Sequence, residues 1–218
     1  DLAAGTHTIT ERGDRRDNPS VFFRPEQDNL VLRSPVAEQL DYLFFAGTGD
    51  EVIGAYRTLT GAATLLPDWI FGYIHCRERF SSQEQLLENA REFRDRGLPM
   101  DVIVQDWQYW GKYGWNAMRF DEGYYPDPAK MVEELHDMDA RMMLSVWSKD
   151  DPNSELGKEF TAKGFYIPGT QWVDFFNPEA AAFYWSNFSE KLLSLGIDAW
   201  WQDATEPEND DLVGRKTF

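Results

Sequence analysis

The sequence predicts an α/β fold: the first half of a (β/α)8 barrel preceded by the end of a β domain. From Pro67 onward, apolar runs of strand length alternate with amphipathic stretches of helix length, and repeated strand–helix units of this size imply a parallel sheet. Four such strands fall within the residues after Pro67, whereas a complete barrel takes about 250 residues, so the chain is expected to stop halfway round. Before Pro67 the apolar runs are short and separated by Gly, Asp, Asn and Pro, the pattern of β structure.

Residues 1–66 are read as the end of an N-terminal β domain and its connector, and residues 67–218 as the first half of the barrel. The expected strands in the first part are Thr6 to Thr10, Val21 to Phe23, Leu30 to Leu32 and Tyr42 to Phe45. Asp50 to Thr60 is expected to be a helix capped by Asp50, with Val52, Ile53, Tyr56 and Leu59 on one face and Gly61 at its end. Leu65-Leu66-Pro67 marks the boundary.

In the second part, Ile70 to Cys76 is the first expected strand. Ser81 and Glu84 suggest a capping box for a helix that buries Leu86, Ala90 and Phe93 and is stopped by Gly97 and Pro99. Met100 to Gln105 is the second strand. An aromatic loop with Trp107, Tyr109, Trp110, Tyr113 and Trp115 follows it. Asp127-Pro128 starts a helix with Met131, Leu135 and Met138 inward. Arg141 to Trp147 is the third strand, apolar on both faces as a barrel strand should be. A helix then runs to about Lys163, stopped by Gly164, and Trp172 to Phe176 is extended. Asn177-Pro178 opens the longest helix, with Ala181, Ala182, Trp185, Phe188 and Leu192 spaced for burial. Gly196 closes it, and Ile197 to Gln202 is expected as a buried fourth strand.

Composition narrows the function. The 218 residues are 42% hydrophobic, enough for one substantial core and part of another, and they carry a formal net charge of −17. That charge argues against nucleic acid or an anionic membrane as partner and is compatible with a neutral sugar. Nine tryptophans suit a sugar-binding cleft as well as a large core. Cys76 is the sole cysteine, which rules out an internal disulfide and sets no compartment. No apolar run reaches membrane-spanning length, so membrane insertion is not expected. Nothing in the sequence sets an oligomeric state. His7, His75 and His136 lie on separate segments without metal-ligand spacing, and neither a Gly-x-Ser-x-Gly elbow nor a Gly-rich phosphate loop occurs. Asp150-Asp151 and Asp210-Asp211 read as solvated acidic loops.

Two carboxylates stand where chemistry gathers in parallel folds, at the C-terminal ends of strands. Asp203 ends the fourth strand, with Glu206 in the loop beyond and Pro207 blocking continuation; Asp106 ends the second. Trp107, Trp147 and Trp201 end or flank three strands and are candidate pocket walls. Trp201-Gln202-Asp203-Ala204-Thr205-Glu206 resembles the W-x-D-x-x-E signature of glycoside hydrolase family 31, the α-glucosidase and α-xylosidase group. The resemblance spans roughly Asp41 to Glu208. It implies an N-terminal β-sandwich leading into a catalytic barrel, a retaining mechanism, and no metal or organic cofactor. It makes Asp203 the nucleophile and Asp106 an acceptor for hydroxyls of the terminal sugar. Glu206 becomes a supporting residue, and Lys149 resembles a site position after the third strand in xylosidase-like members. The acid/base carboxyl is expected past Phe218. Met-Asn of the common α-glucosidase form is replaced by Ala204-Thr205, closer to the α-xylosidase branch. The implied substrate is an oligosaccharide with a terminal α-linked sugar, first of all α-xylose as in xyloglucan oligosaccharides. An α-glucosidase, an α-transglycosylase or a non-catalytic sugar-binding barrel are the alternatives.

Overall fold

A computed structural model describes residues 20–24, 29–33 and 41–203. The Thr6 to Thr10 run, Glu206 and Asp210-Asp211 lie outside them. The chain divides into two compact units, Asp1–Ala62 with Pro207–Phe218, and Ala63–Glu206.

In the first unit, β1 (Ser20–Arg24) and β2 (Asn29–Arg33) pair antiparallel, Ser20 opposite Arg33 and Arg24 opposite Asn29. The described β structure of this unit is that hairpin. Tyr42 to Phe45, expected as a strand, is irregular instead. Among the described residues it has no ladder partner, and without one an apolar run has no reason to stay extended. Helix α1 (Gly49–Thr60) starts one residue before the expected Asp50. Its cap is Thr48, whose hydroxyl accepts from the Glu51 amide, while the Glu51 carboxylate accepts from the Thr48 amide at 2.7 Å. Asp50 sits in the first turn, where a negative charge suits the helix dipole.

The second unit is a four-stranded parallel sheet in the order β3-β4-β5-β6. The strands are β3 (Ile74–His75), β4 (Val102–Gln105), β5 (Arg141–Val146) and β6 (Ala199–Gln202). Between them run α2 (Gln83–Asp95), α3 (Pro128–Asp137), α4 (Glu155–Lys163) and α5 (Pro178–Lys191). Ile74 and His75 pair with Val102 and Ile103; Gln105 pairs with Leu144, which pairs with Trp200. This alternation is that of a partial (β/α) barrel.

β3 is shorter than expected. Asp68–Phe71 closes into a 3-10 turn, and the chain turns into the sheet only after Gly72. A Cβ on Gly72 would lie 2.0 Å from the Asp101 carboxylate, which accepts from the Tyr73 amide at 2.9 Å. The α2 cap is also displaced by one residue. Ser82 accepts from the Gln85 amide, and the Gln85 side chain reaches back to Ser81 at 2.8 Å, so the expected Ser81–Glu84 box is Ser82 with Gln85. In α5 the buried stripe is Ala180, Phe188 and Leu192, with Tyr184 half-buried between them, while Trp185 is exposed. Phe188 decides the rotation by meeting Trp200 of β6 at 4.2 Å, and Phe183 packs on Phe160 of α4 at 5.1 Å.

Side chains registered across parallel strands share a face. Ile103, Met142, Leu144 and Val146 join the main core with the helices, and each fully buried aliphatic there contributes about 1.5–3 kcal/mol. Val104, Met143, Ser145, Ala199 and Trp201 take the other face, the inner face of a barrel. β6 was expected to be buried. It forms the edge of the described sheet, and Trp201 and Gln202 are exposed.

Candidate active site

Asp106 follows β4 directly, and Asp203 follows β6, its amide donating to the Val146 carbonyl at 3.0 Å so that it prolongs the ladder. Continuing the alternation from Val104 and from Trp201 brings both residues to the inner face at one end of the sheet. The Ser145 hydroxyl, on β5 between them, donates to Asp106 Oδ1 at 2.7 Å. Burial pushes the Asp106 pKa up. The Ser145 hydrogen bond and the Trp107 amide pull it down, and the charges of Asp203 and Glu78 push it up again. The two strand-end carboxylates are therefore electrostatic neighbours. Such a pair can accept hydrogen bonds from a polyol on one side and offer a nucleophilic oxygen on the other.

The aromatic loop after β4 packs as a continuous cluster. Trp107 is half-buried, meets Trp115 at 5.9 Å, and carries the Arg79 guanidinium 4.9 Å above its ring. Trp147 is only 4% exposed and packs against Trp110 and Trp115 at 5.1 and 5.2 Å. Its carbonyl accepts from the Asn116 amide nitrogen and from the Tyr184 hydroxyl, each at 2.7 Å. Of the three candidate walls, Trp107 is half-buried and Trp201 exposed, and Trp147 backs the cluster.

Lys149 pairs through its backbone with Trp172 and holds its ammonium 5.6 Å from that ring. The neighbouring Asp150 corrects the expectation of a solvated acidic loop, because it is 2% exposed. The Tyr166 hydroxyl donates to its Oδ1, and its Oδ2 has no hydrogen-bond partner among the described residues. Burial raises its pKa to about 6 despite that hydrogen bond, and the charge of Asp151 adds to the rise.

The described histidines serve structure. His75 Nδ1 meets the Tyr73 hydroxyl at 3.1 Å, and His136 Nε2 meets Asp198 at 2.8 Å. Among the described residues no three His, Cys, Asp or Glu side chains group as a metal site, and no helix there is long and apolar enough to cross a membrane. Sequence reasoning missed Ser145, although it is the one hydroxyl in Met142-Met143-Leu144-Ser145-Val146-Trp147. It also missed Arg79 and Glu78, which no pattern marks; Glu78 has φ of 60°, unusual for a residue with a side chain.

The model of the glycosyl hydrolases family 31 TIM-barrel domain matches residues 63–217. The chain is 46% identical over 183 residues to an alpha-xylosidase of Saccharolobus solfataricus, covering 84% of this chain and 25% of that protein. It is 33% identical over 189 residues to an uncharacterized family 31 glucosidase of Pseudescherichia vulneris, covering 80% of this chain and 35% of that one. Among solved structures, it matches the GH31 alpha-xylosidase from Xanthomonas citri with a TM-score of 0.66 and 40% identity, over 72% of this chain and 19% of the other. The chain thus spans about a quarter and about a third of the length of these two curated relatives. With that family's barrel model covering the whole strand–helix unit, this chain belongs to glycosyl hydrolase family 31 and carries part of its TIM-barrel domain.

Proposed function

We propose that the protein containing this chain is a retaining α-glycosidase that releases a terminal α-linked xylose, with Asp203 as nucleophile and Asp106 accepting hydroxyls of the bound sugar. The observation that carries the reading is the position of Asp106 and Asp203 directly after β4 and β6, on the same face and at the same end of the parallel sheet. Asp203 attacks the anomeric carbon as the bond to the leaving oxygen breaks. That oxygen takes its proton from a second carboxyl group, outside this chain. Water then adds to the anomeric carbon of the glycosyl ester, giving its proton back to that carboxylate and freeing Asp203. Residues 1–66 are then the end of an N-terminal β domain and its connector, and Trp107, Trp201 and Lys149 border the sugar, with Trp147 behind them.

Xylose is favoured by similarity to α-xylosidases at 46% and 40% identity. A second reading, an α-glucosidase, is favoured by the 33% identical glucosidase. The sugars differ by one hydroxymethyl group, and contacts of that size are worth about 1–3 kcal/mol, or roughly 10–200-fold. The test is kcat/KM for an aryl α-xyloside over that for an aryl α-glucoside, using the full-length protein. A ratio above one is expected. A ratio below one assigns the α-glucosidase reading and leaves Asp203 in place.

A further inference from the structure

β5 is apolar except at Arg141, where it begins, and at Ser145, one residue before it ends. Ser145 is completely buried. A hydroxyl in that setting costs free energy unless it is hydrogen-bonded, and its bond goes to a carboxylate rather than to the backbone: Oγ donates to Asp106 Oδ1 at 2.7 Å. The two residues stand on neighbouring strands. The β4–β5 register, carried one residue past Gln105 and Leu144, sets Asp106 opposite Ser145. A carboxylate turns about its terminal bond with little restraint, and this contact from an adjoining strand fixes one of its oxygens.

We infer that Ser145 is a positioning residue for Asp106, holding the carboxylate in the orientation needed to accept hydrogen bonds from a bound sugar. The inference rests on the sugar-binding reading of Asp106. The same bond favours the charged form of Asp106 in crowded surroundings. The groups facing it are Asp203 after β6, and Glu78 and the Cys76 thiol after β3, with Glu78 itself paired to Arg79 at 3.0 Å. β5 contributes the Ser145 hydroxyl there, its one charged residue, Arg141, being at the opposite end. Removing the hydroxyl therefore misorients Asp106 and raises the pH at which it takes up a proton.

The experiment is a double-mutant cycle read against pH. In the full-length protein, kcat/KM is measured for whichever of an aryl α-xyloside and an aryl α-glucoside is turned over faster. The variants are Ser145→Ala, Ser145→Thr, Asp106→Asn and the Ser145→Ala/Asp106→Asn pair. Ser145→Ala is expected to lower kcat/KM about three- to tenfold, the scale of one hydrogen bond. It should also move the acidic limb of the profile to higher pH. Ser145→Thr, which keeps the hydroxyl, should keep the limb where it is, and Ser145→Ala should add no loss once Asp106 is Asn. An equal loss from Ser145→Ala in both backgrounds, with the acidic limb unmoved, would make the serine a packing residue and overturn the inference alone. Wild-type kcat/KM in Asp106→Asn would overturn the sugar-binding reading of Asp106, and the inference with it.

Discussion

A carboxylate that holds a sugar's hydroxyls and one that attacks its anomeric carbon fail in different ways when their charge is removed. Asp203→Asn deletes the nucleophilic oxygen, so hydrolysis is expected to fall by at least about 1,000-fold while binding of the free sugar, measured by calorimetry, survives. Activity within a few-fold of wild type would remove Asp203 from the chemistry. Asp106→Asn keeps the shape and loses the charge-assisted acceptor, so kcat/KM should fall about 10- to 100-fold, with a covalent intermediate still formed. Asp150 sets a different expectation. Its pKa moves from the ordinary 3.8 to about 6 because it is buried. Between those values the unfolded chain ionises while the folded protein keeps the proton. This group's contribution to stability therefore falls as pH rises from about 4 to about 6 and stays lost above. Asp150→Asn cannot ionise. Its stability relative to wild type should rise by up to about 3 kcal/mol between pH 4 and pH 7, as read by thermal or denaturant unfolding. A difference that does not change with pH would mean that Asp150 is solvated in solution.

At the scale of elements, periodicity and turn chemistry made the helices and inner strands legible. Asp127-Pro128 and Asn177-Pro178 open α3 and α5 as expected, and Gly164 ends α4 with φ of 68°. What could not be read depended on partners distant in sequence. Ile70 to Cys76 has a strand's composition, but the Asp101 carboxylate and the 3-10 turn before Gly72 leave it two paired residues. Trp185 and Phe188 both suit a buried face, and Trp200 on β6 selects Phe188. The strand-end carboxylates were visible because a charge after an apolar run is a local signal. Ser145 and the buried Asp150 were not, because a hydroxyl or an acid is marked as special only by what it faces. Gly157 in α4 is another such case. A Cβ there would lie 2.0 Å from the Asp151 carbonyl oxygen, which is backbone and cannot swing away. Gly157→Ala should therefore cost about 1–3 kcal/mol by forcing α4 from the loop before it, although alanine is the better helix former. Unchanged denaturant stability would show that this approach is not as close in solution.

Over the whole molecule, the parallel sheet holds both proposed roles on one rim, and among the described residues its outer strands β3 and β6 are unpaired on one side. Trp201 on the inner face is 40% exposed. Open edges beside apolar surface favour association, so a polypeptide of residues 1–218 alone is expected to elute as aggregates in size-exclusion chromatography and to turn over no aryl α-glycoside. A monomer that hydrolyses one at an enzyme-like rate would mean that the acid/base carboxyl lies within these residues. In the proposed mechanism Asp203 forms the bond to the sugar. The most direct test of that mechanism is to treat the full-length protein with 5-fluoro-α-xylosyl fluoride, whose ring fluorine slows breakdown of the glycosyl ester, and to map the labelled peptide by mass spectrometry. One fluoroxylosyl group is expected on the peptide containing Asp203, at that side chain, and none in Asp203→Asn. A label on another carboxylate, or turnover that releases the inverted anomer with no covalent species, would contradict that mechanism.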